Sequence, residues 1–295
     1  MSALRRLLLC LFPAALLTAC GAPESPPPAA DTAPPPPAAA VEEAPADSGP
    51  SLAAIADGEH RSEANRARNT SRHPVETLEF FGLTPETHVV EIWPSGGWYT
   101  EVIAPYVNES GRYYAAHWDP ESDMEFVRKG IAAYMDKLAE HPDLYGNVEM
   151  LVLMPPEKMD FAEPESVDMV LTFRNIHNWM PRGYAEGMFE AMYKALKPGG
   201  VLGVVEHRGN PAVEQDPKAA SGYVNEDYAI ALAEAAGFVL EDKSEVNANP
   251  ADTKDYDTGV WTLPPTLRKK EEDRDKYVAI GESDRFTLKF RKPAA

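Results

Sequence analysis

The sequence predicts an α/β fold built on a doubly wound, mostly parallel sheet of seven strands. Two observations lead to this fold class. Short apolar runs alternate along the chain with longer amphipathic stretches, which is the pattern of strands alternating with helices. Parallel strands joined in this way need crossover helices, and these cover both faces of the sheet. The composition agrees, because 44% hydrophobic residues in a chain of 295 suffice for a large core.

Charge and cysteine content exclude several kinds of site. The chain has 28 basic and 47 acidic residues and a formal net charge of −19. A protein this acidic repels phosphate backbones, so no nucleic-acid partner is expected. The two cysteines, Cys10 and Cys20, both lie near the start of the chain. The folded part therefore has no disulfide, thiolate metal site or cysteine nucleophile.

Residues 1–19 are predicted to be a signal peptide. Arg5 and Arg6 precede an apolar run over residues 7–17, which is too short to span a bilayer. The tetrapeptide Leu-Thr-Ala-Cys that ends at Cys20 resembles the bacterial lipobox, which implies that Cys20 is acylated. Gly21, in place of Asp, implies retention in the outer membrane, facing the periplasm. The alternative is plain secretory cleavage, with Cys20 incidental.

Residues 20–50 are predicted to be a disordered tether that begins at the lipidated cysteine. Ten prolines and nine alanines fall within residues 21–50, which contain no Lys or Arg. Such a segment cannot bury enough apolar surface to offset the entropy of ordering. The remaining chain is too acidic to bind an anionic membrane by charge, so the lipid would be its membrane contact. Residues 51–295 then form the folded domain.

The folded domain is predicted to begin with a helical extension. Residues 51–69 and 75–81 have helical patterns, and Gly82 ends the second. Seven apolar runs predict strands over residues 88–93, 112–117, 148–153, 167–173, 201–206, 238–240 and 286–290. Helices are predicted between them over residues 98–107, 122–140, 184–196 and 226–236. Residues 247–275 break this rhythm, and we interpret them as a lid over an acceptor, a partner surface or a solvated excursion.

Four loops stand where a doubly wound sheet binds its ligand. Ligands lie beyond the carboxyl ends of the strands, where the strand order reverses. The loops there cover residues 91–98, 117–120, 174–179 and 206–209. In the first loop Glu91 is followed by Gly96-Gly97 and a helix, an arrangement that allows backbone to approach a ligand closely. A simple tight turn would explain the glycine pair equally well.

Several segments, in chain order, resemble class I S-adenosylmethionine-dependent methyltransferases. They are Ser166–Leu171, Ile176–Trp179, Leu196–Leu202 (Leu-Lys-Pro-Gly-Gly-Val-Leu) and Asn225–Phe238. The sequence Trp-Pro-Ser-Gly-Gly-Trp-Tyr-Thr-Glu at residues 93–101 resembles that of a bacterial subgroup of predicted methyltransferases, as does Arg-His-Pro at residues 72–74. The resemblance covers roughly residues 60–290 and implies a Rossmann-like class I methyltransferase fold. It further implies S-adenosylmethionine as cofactor and methyl transfer to an unknown small-molecule acceptor.

The resemblance also implies which residues bind the cofactor. These are Glu91, Trp93, Ser95, Gly96, Gly97, His117, Asp119, Arg174 and Asn175. Three departures stand out. Trp93 and Ser95 replace the first two glycines of the usual loop. His117 replaces the ribose-binding carboxylate, with Asp119 as a substitute, and Leu153–Pro156 replaces the adenine-contacting Asp. These departures favour an alternative function, a non-catalytic envelope binding domain that has kept the fold and lost the cofactor.

His177 is the candidate catalytic residue. It lies in the loop that faces the acceptor in the family, and a neutral imidazole can take a proton from an acceptor atom. The alternative is a packing residue beside Trp179. Arg174 and Asn175 either hold the cofactor's carboxylate or the substrate, or cap the strand end. His117, His177 and His207 could converge on a metal, but no local ligand spacing supports this, so no metal site is predicted.

Overall fold

The computed structural model describes residues 49–294. The predicted signal peptide, the lipidation site Cys20 and nearly all of the tether lie outside the described residues. Within the described part, seven strands form one sheet. Their bounds are β1 His88–Ile92, β2 Arg112–His117, β3 Glu149–Val152, β4 Val167–Phe173, β5 Leu196–His207, β6 Val239–Ser244 and β7 Arg285–Arg291.

The strand order is β3-β2-β1-β4-β5-β7-β6. Neighbouring strands run parallel except at β7, which pairs antiparallel with both β5 and β6. The prediction of a doubly wound, mostly parallel seven-stranded sheet is therefore confirmed. Consecutive strands run outward in one direction from β1 to β3 and in the other from β4 onward. The reversal lies between β1 and β4, so the carboxyl ends of these two strands mark the expected crevice.

Helices cover both faces of the sheet. They are α1 Leu52–Ala56, α2 Glu63–Arg66, α3 Asn69–Arg72, α4 Pro74–Phe81, α5 Thr100–Val107, α6 Glu125–Glu140, α7 Pro142–Tyr145, α8 Ile176–Trp179, α9 Ala185–Ala195, α10 Glu226–Ala235 and α11 Arg274–Ile280, with short 3-10 turns at Met180–Arg182 and Gly259–Thr262. Residues of α4 and α5 pack on one face, and residues of α9 and α10 on the other. Burial on both faces explains why the central strands β1 and β4 are largely apolar, whereas the outer strands β3 and β6 are more exposed. No helix in residues 49–294 is long and apolar enough to cross a membrane.

The N-terminal extension is helical, but it is divided into short helices. The sequence predicts one helical stretch over residues 51–69, whereas the structure has separate helices capped by Ser51 and Ser62, whose hydroxyls accept backbone N–H groups. The chain bends between them around the buried side chain of Arg61, which donates to Ala56 O and to Glu101 Oε2. The second serine cap was the signal for this break.

Residues 247–275 pack against the domain and are not a solvated excursion. Asn247 is buried and donates to Thr77 Oγ1 and Thr287 Oγ1. Asp252 is also buried and accepts hydrogen bonds from Tyr223 Oη and from the backbone of Asp284. The 3-10 turn Gly259–Thr262 is held in the interior through Val260. The segment therefore has a fixed place at the edge of the site.

Candidate functional site

The loop after β1, which we call the glycine loop, covers residues 93–97 and keeps a glycine-like backbone where the glycines are missing. The φ angles are +47° at Trp93, +57° at Ser95 and +75° at Gly97. Glycine enters this left-handed region freely, whereas other residues lose roughly 1–2 kcal/mol there. Trp93 is held by hydrogen bonds from its backbone N to Ala116 O (2.8 Å) and from Nε1 to Leu153 O (3.0 Å). The side chains of Trp93 and Ser95 depart from the family pattern, but the backbone keeps the left-handed conformation that glycines would adopt there.

The two glycines of the loop serve different purposes. A Cβ added to Gly97 would lie 2.9 Å from Tyr134 Cε2 and 3.3 Å from Thr100 Oγ1, so packing alone excludes a side chain there. A Cβ added to Gly96 would meet nothing within 4 Å. Gly96 is exposed at the mouth of the site. Of the two, only Gly96 has free space that a ligand could fill.

Glu91 is a buried carboxyl group beneath this loop. It accepts hydrogen bonds from Tyr113 Oη (2.5 Å) and from Thr100 Oγ1 (3.3 Å). Burial raises the pKa of Glu91 to about 7, although both hydroxyl donors act in the opposite direction. It lines a small cavity of 180 Å³ together with Trp93 and Arg174. Glu91 therefore lies next to the glycine loop, as predicted, in an environment that favours its neutral form.

His117 is fully buried and ties the end of β2 to the glycine loop. Its Nδ1 accepts the backbone N–H of Trp118 at 2.8 Å. The proton must then be on Nε2, which donates to Ser95 O at 3.2 Å. Burial lowers the pKa of His117, in keeping with a neutral ring. Both ring nitrogens are occupied by backbone, so neither is free to accept a ribose hydroxyl.

Asp119 lies at the rim and has its own partners. Its carboxylate pairs with Lys158 Nζ at 2.5 Å and accepts the backbone N–H of Glu121 at 2.9 Å. These hydrogen bonds lower the pKa of Asp119. The side chain that follows β2 into the crevice is that of Trp118, which lines the cleft described next. The sequence analysis did not single out Trp118, although its position directly after a strand was a usable signal.

A cavity of 660 Å³, which we call the main cleft, lies at the strand ends. Its walls come from the loops after β1, β2, β3 and β4 and from residues 247–275; among the lining side chains are Trp93, Trp118, Met154, Asn175, His177 and Trp261. The rings of Trp93 and Trp118 lie edge to face, with centroids 6.0 Å apart. The other aromatic candidates, Trp98, Tyr99 and Trp179, are buried in the core. Trp261 was missed because its segment has no strand or helix pattern that would place it.

Asn175 and Arg174 follow β4 and differ in their surroundings. Asn175 is buried, and its Nδ2 donates to Ile92 O (2.8 Å) and to Thr172 Oγ1 (3.2 Å), which joins the ends of β4 and β1. Arg174 has a left-handed backbone with φ of +61°. Within the described residues its guanidinium makes no hydrogen bond or ion pair. Burial, together with the charge of Arg285, lowers the pKa of Arg174 to about 10.

His177 and Glu206 form a hydrogen-bonded pair in the wall of the main cleft. His177 Nδ1 lies 3.0 Å from Glu206 Oε1. The Glu206 side chain is fully buried and also accepts the backbone N–H groups of His177 (3.3 Å) and His207 (2.8 Å). Three donors stabilise an ionised carboxylate, which places the His177 proton on Nδ1. Nε2 is thereby left as a proton acceptor, the arrangement of an oriented general base.

His177, Glu206 and His207 also bring potential metal ligands within 4.8 Å of one another. Two features disfavour a cation. His177 and Glu206 already use their closest atoms on each other, and His207 Nδ1 lies 2.6 Å from Ser283 Oγ. The pKa of His207 is lowered well below its ordinary value by burial, by its closeness to His177 and by the positive charge of Arg285 and other nearby arginines. The positive charge of these arginines would also repel a divalent cation.

A second space, which we call the arginine cavity, lies on the other side of Ser95. It measures 370 Å³ and is lined by Arg68, Arg72, Arg174 and Arg285, with Glu282 as the carboxylate among them. Glu282 Oε1 accepts from Arg68 Nε at 2.7 Å, and Oε2 accepts from Arg72 Nε at 3.1 Å and from Arg285 Nη2. The pKa of Glu282 is held far below its ordinary value by these arginines, despite its burial. The sequence singles out Arg174 and the segment at residues 72–74, but it does not predict this cluster, since its members come from distant segments.

Comparison with known proteins identifies the fold but no close relative. No protein-family model and no curated protein matches the chain. A SAM-dependent methyltransferase from Aquifex aeolicus superposes with a TM-score of 0.50 at 16% identity, over 77% of this chain and 93% of that one. The [4+2]-cyclase SpnF gives 0.53 at 14% identity, over 81% and 86%. A putative sarcosine dimethylglycine methyltransferase from Galdieria sulphuraria gives 0.51 at 11% identity, over 79% and 87%.

Identities this low show a shared architecture and no more. One of these three structures is described as a cyclase, so the fold by itself does not fix a reaction. The seven-stranded, mostly parallel sheet and the helices on both of its faces nevertheless agree with the expectation from sequence. The chain has the Rossmann-like fold of the class I S-adenosylmethionine-dependent methyltransferases.

Proposed function

We propose that this protein binds S-adenosylmethionine in the main cleft and transfers its methyl group to a small-molecule acceptor. The observation that carries the proposal is the position of the cleft. It opens at the carboxyl ends of β1 and β4, where the strand order reverses, beside Trp93 and Ser95 of the glycine loop. This is the place at which doubly wound folds bind their nucleotide-like ligands. A volume of 660 Å³ is within the ordinary range for small-molecule sites.

The residues of the cleft fit the cofactor in two respects. Ser95 lines the cleft, so a ligand there can approach the glycine loop closely. The indoles of Trp93 and Trp118 offer aromatic faces, which attract both a flat base and a sulfonium cation. The ribose contact follows a different pattern from the family, because His117 and Asp119 are already bonded to other groups.

In this proposal S-adenosylmethionine, when bound, supplies an electrophilic methyl group. The chain aligns the acceptor with it and keeps water away. His177 Nε2 takes a proton from the acceptor, and Glu206 holds the imidazole in the tautomer that leaves Nε2 free. Trp261, contributed by residues 247–275, closes the outer side of both the main cleft and the arginine cavity.

The test is calorimetric titration of the full-length protein with S-adenosylhomocysteine, comparing the wild type with Trp118→Leu. Leucine keeps an apolar side chain beside Trp93 and Phe126, and the melting temperature is measured to show that the variant stays folded. The substitution removes an aromatic face of the main cleft, so we expect binding to weaken about tenfold or more, which is about 1.4 kcal/mol. Gly96 is unsuitable for this purpose because it lines the arginine cavity, and Gly97 because a side chain there strikes Tyr134.

Two results would contradict the proposal. Equal affinity of the wild type and Trp118→Leu would place the ligand outside the main cleft. No binding of S-adenosylhomocysteine by the wild type would favour the alternative function, a binding domain that has kept the fold without the cofactor.

A further inference from the structure

The arginine cavity carries an excess of positive charge inside a strongly acidic protein. Four arginines face one carboxylate, Glu282, so three positive charges are uncompensated within 370 Å³. The chain as a whole has a formal net charge of −19. A cavity of this sign, with walls of low dielectric, concentrates an anion that the rest of the surface would repel. Stability alone gives no reason to gather four like charges, since their mutual repulsion disfavours folding.

The internal hydrogen bonds of the cluster leave several donors unused. Both oxygens of Glu282 are occupied by Arg68, Arg72 and Arg285. The guanidinium of Arg174 has no hydrogen bond or ion pair in the described part of the chain. Nη2 of Arg68 and Nε of Arg285 are closed to solvent and also lack partners. Buried donors without partners are uncommon, and a bound anion beside them would supply acceptors.

The cluster is held rigidly before any ligand arrives. The side chains of Arg72 and Arg285 are only 5% and 2% exposed. The guanidinium of Arg72 lies 4.7 Å from the ring centroid of Trp98, and Arg285 Nη1 donates to Ser71 O at 2.9 Å. Because these groups are already ordered, little side-chain entropy is lost when an anion binds.

The position of the cavity connects it with the proposed reaction. Ser95 and Trp261 line both the arginine cavity and the main cleft. His207, in the wall of the arginine cavity, has its ring centroid 5.3 Å from that of His177. An anionic group bound among the arginines would thus lie next to the proposed base. S-adenosylmethionine carries a net positive charge, so the charge of the cavity does not match the cofactor.

We propose that the arginine cavity binds a compact dianionic group, of the phosphate or phosphonate kind, and that this group belongs to the acceptor. The second half of the statement rests on the proposed methyl transfer; the first half does not. A group with two negative charges matches the uncompensated arginines better than a single carboxylate does. The planar donors of arginine suit such oxyanions.

The test is calorimetric titration of the full-length protein with inorganic phosphate at low ionic strength and mildly alkaline pH. Arg174→Gln removes a guanidinium that makes no bond in the fold, so the variant should fold normally. We expect it to weaken phosphate binding about tenfold or more. Arg112→Gln is the matched control, since it removes the same charge from a half-exposed pair at the opposite end of β2. It should leave the affinity unchanged. Arg68→Gln provides a second cavity variant, with a loss in the same direction.

The possible results separate this proposal from the proposed function. Equal phosphate affinity in the wild type, Arg174→Gln and Arg112→Gln would overturn the site. Acetate binding as tightly as phosphate would overturn the preference for a dianion. Competition between S-adenosylhomocysteine and phosphate would show that the cavity takes the cofactor's carboxylate, which overturns the assignment to the acceptor. Phosphate binding without any binding of S-adenosylhomocysteine would support the anion site and overturn the methyl transfer.

Discussion

The main cleft and the arginine cavity lie on two sides of Ser95 and differ in almost every physical property. The main cleft is lined by the indoles of Trp93, Trp118 and Trp261, and its charged side chains, Arg182 and Lys218, are exposed. The arginine cavity holds four guanidiniums around Glu282. A flat, weakly polar ligand suits the first and an anion suits the second. The contrast indicates a site for two ligands of different charge, brought together across the wall that holds Ser95.

The two spaces also differ in how their walls are stabilised. Backbone hydrogen bonds from His117 and Trp93 fix the wall of the main cleft. In the arginine cavity the wall depends on one carboxylate shared by three guanidiniums. Removing a single group should therefore damage the arginine cavity far more, and the largest predicted effect lies there.

Glu282→Gln should strongly destabilise the protein. The substitution leaves four arginines, two of them nearly fully buried, without a facing carboxylate. Breaking a buried ion pair by removing one partner costs about 3–5 kcal/mol, and we expect a loss of this size in urea unfolding. Glu245→Gln is the control. The Glu245 side chain pairs with Arg208 and is 67% exposed, so this ion pair should contribute less than about 1 kcal/mol to the free energy of unfolding. Similar losses of unfolding free energy in Glu282→Gln and Glu245→Gln would show that the wall of the arginine cavity does not depend on Glu282.

The same variant sharpens the anion proposal. If a dianion occupies the cavity, added phosphate should restore part of the stability lost in Glu282→Gln, since it replaces the missing negative charge. Sodium chloride at matched ionic strength should restore less.

Glu91 gives a pH-dependent effect of intermediate size. Burial raises the pKa of Glu91 to about 7 in the folded protein, whereas in the unfolded chain the group titrates near its ordinary value of 4.5. Between these values the folded state keeps a proton that the unfolded state has lost, so stability falls as pH rises and levels off above pH 7. The total is about 3 kcal/mol. Glu91→Gln removes this dependence. The difference in unfolding free energy between variant and wild type should therefore grow in favour of the variant from about pH 5 to pH 7. A difference that stays constant over this range would show that Glu91 is ionised throughout.

Much of the fold could be predicted from sequence, because each strand is a short apolar run bounded by turn residues. β2 and β4 have the predicted bounds, and the other strands differ by a few residues at their ends. The helical extension was less predictable, because the break at Arg61 depends on the distant acceptor Glu101.

The site was only partly predictable, for reasons of geometry. Sequence places Glu91, Gly96 and His177 at strand ends, since topology alone brings strand ends together. It cannot show that the two nitrogens of His117 are used by backbone, or that His177 pairs with Glu206. The arginine cavity was not predicted as a cluster, although Arg174 was predicted to hold the cofactor's carboxylate or the substrate. Arg72, Arg174 and Arg285 are separated by more than a hundred residues and become neighbours only after the sheet has formed. The roles predicted for the cofactor-binding residues stay predictions until a ligand is bound.

Ser95→Gly should have the smallest effect, and it tests the wall common to both spaces. Ser95 has a φ of +57°, and within the described residues its side chain makes no hydrogen bond. Glycine relieves the strain of this conformation, roughly 1 kcal/mol, but it also makes the unfolded chain more flexible. We therefore expect a gain in unfolding free energy of about 0.5 kcal/mol, measured by urea unfolding. His117 donates to the backbone carbonyl of Ser95, so the hydrogen bond between the end of β2 and the glycine loop is retained in the variant. A clear loss of stability would instead mean that the Ser95 hydroxyl supports the wall between the main cleft and the arginine cavity.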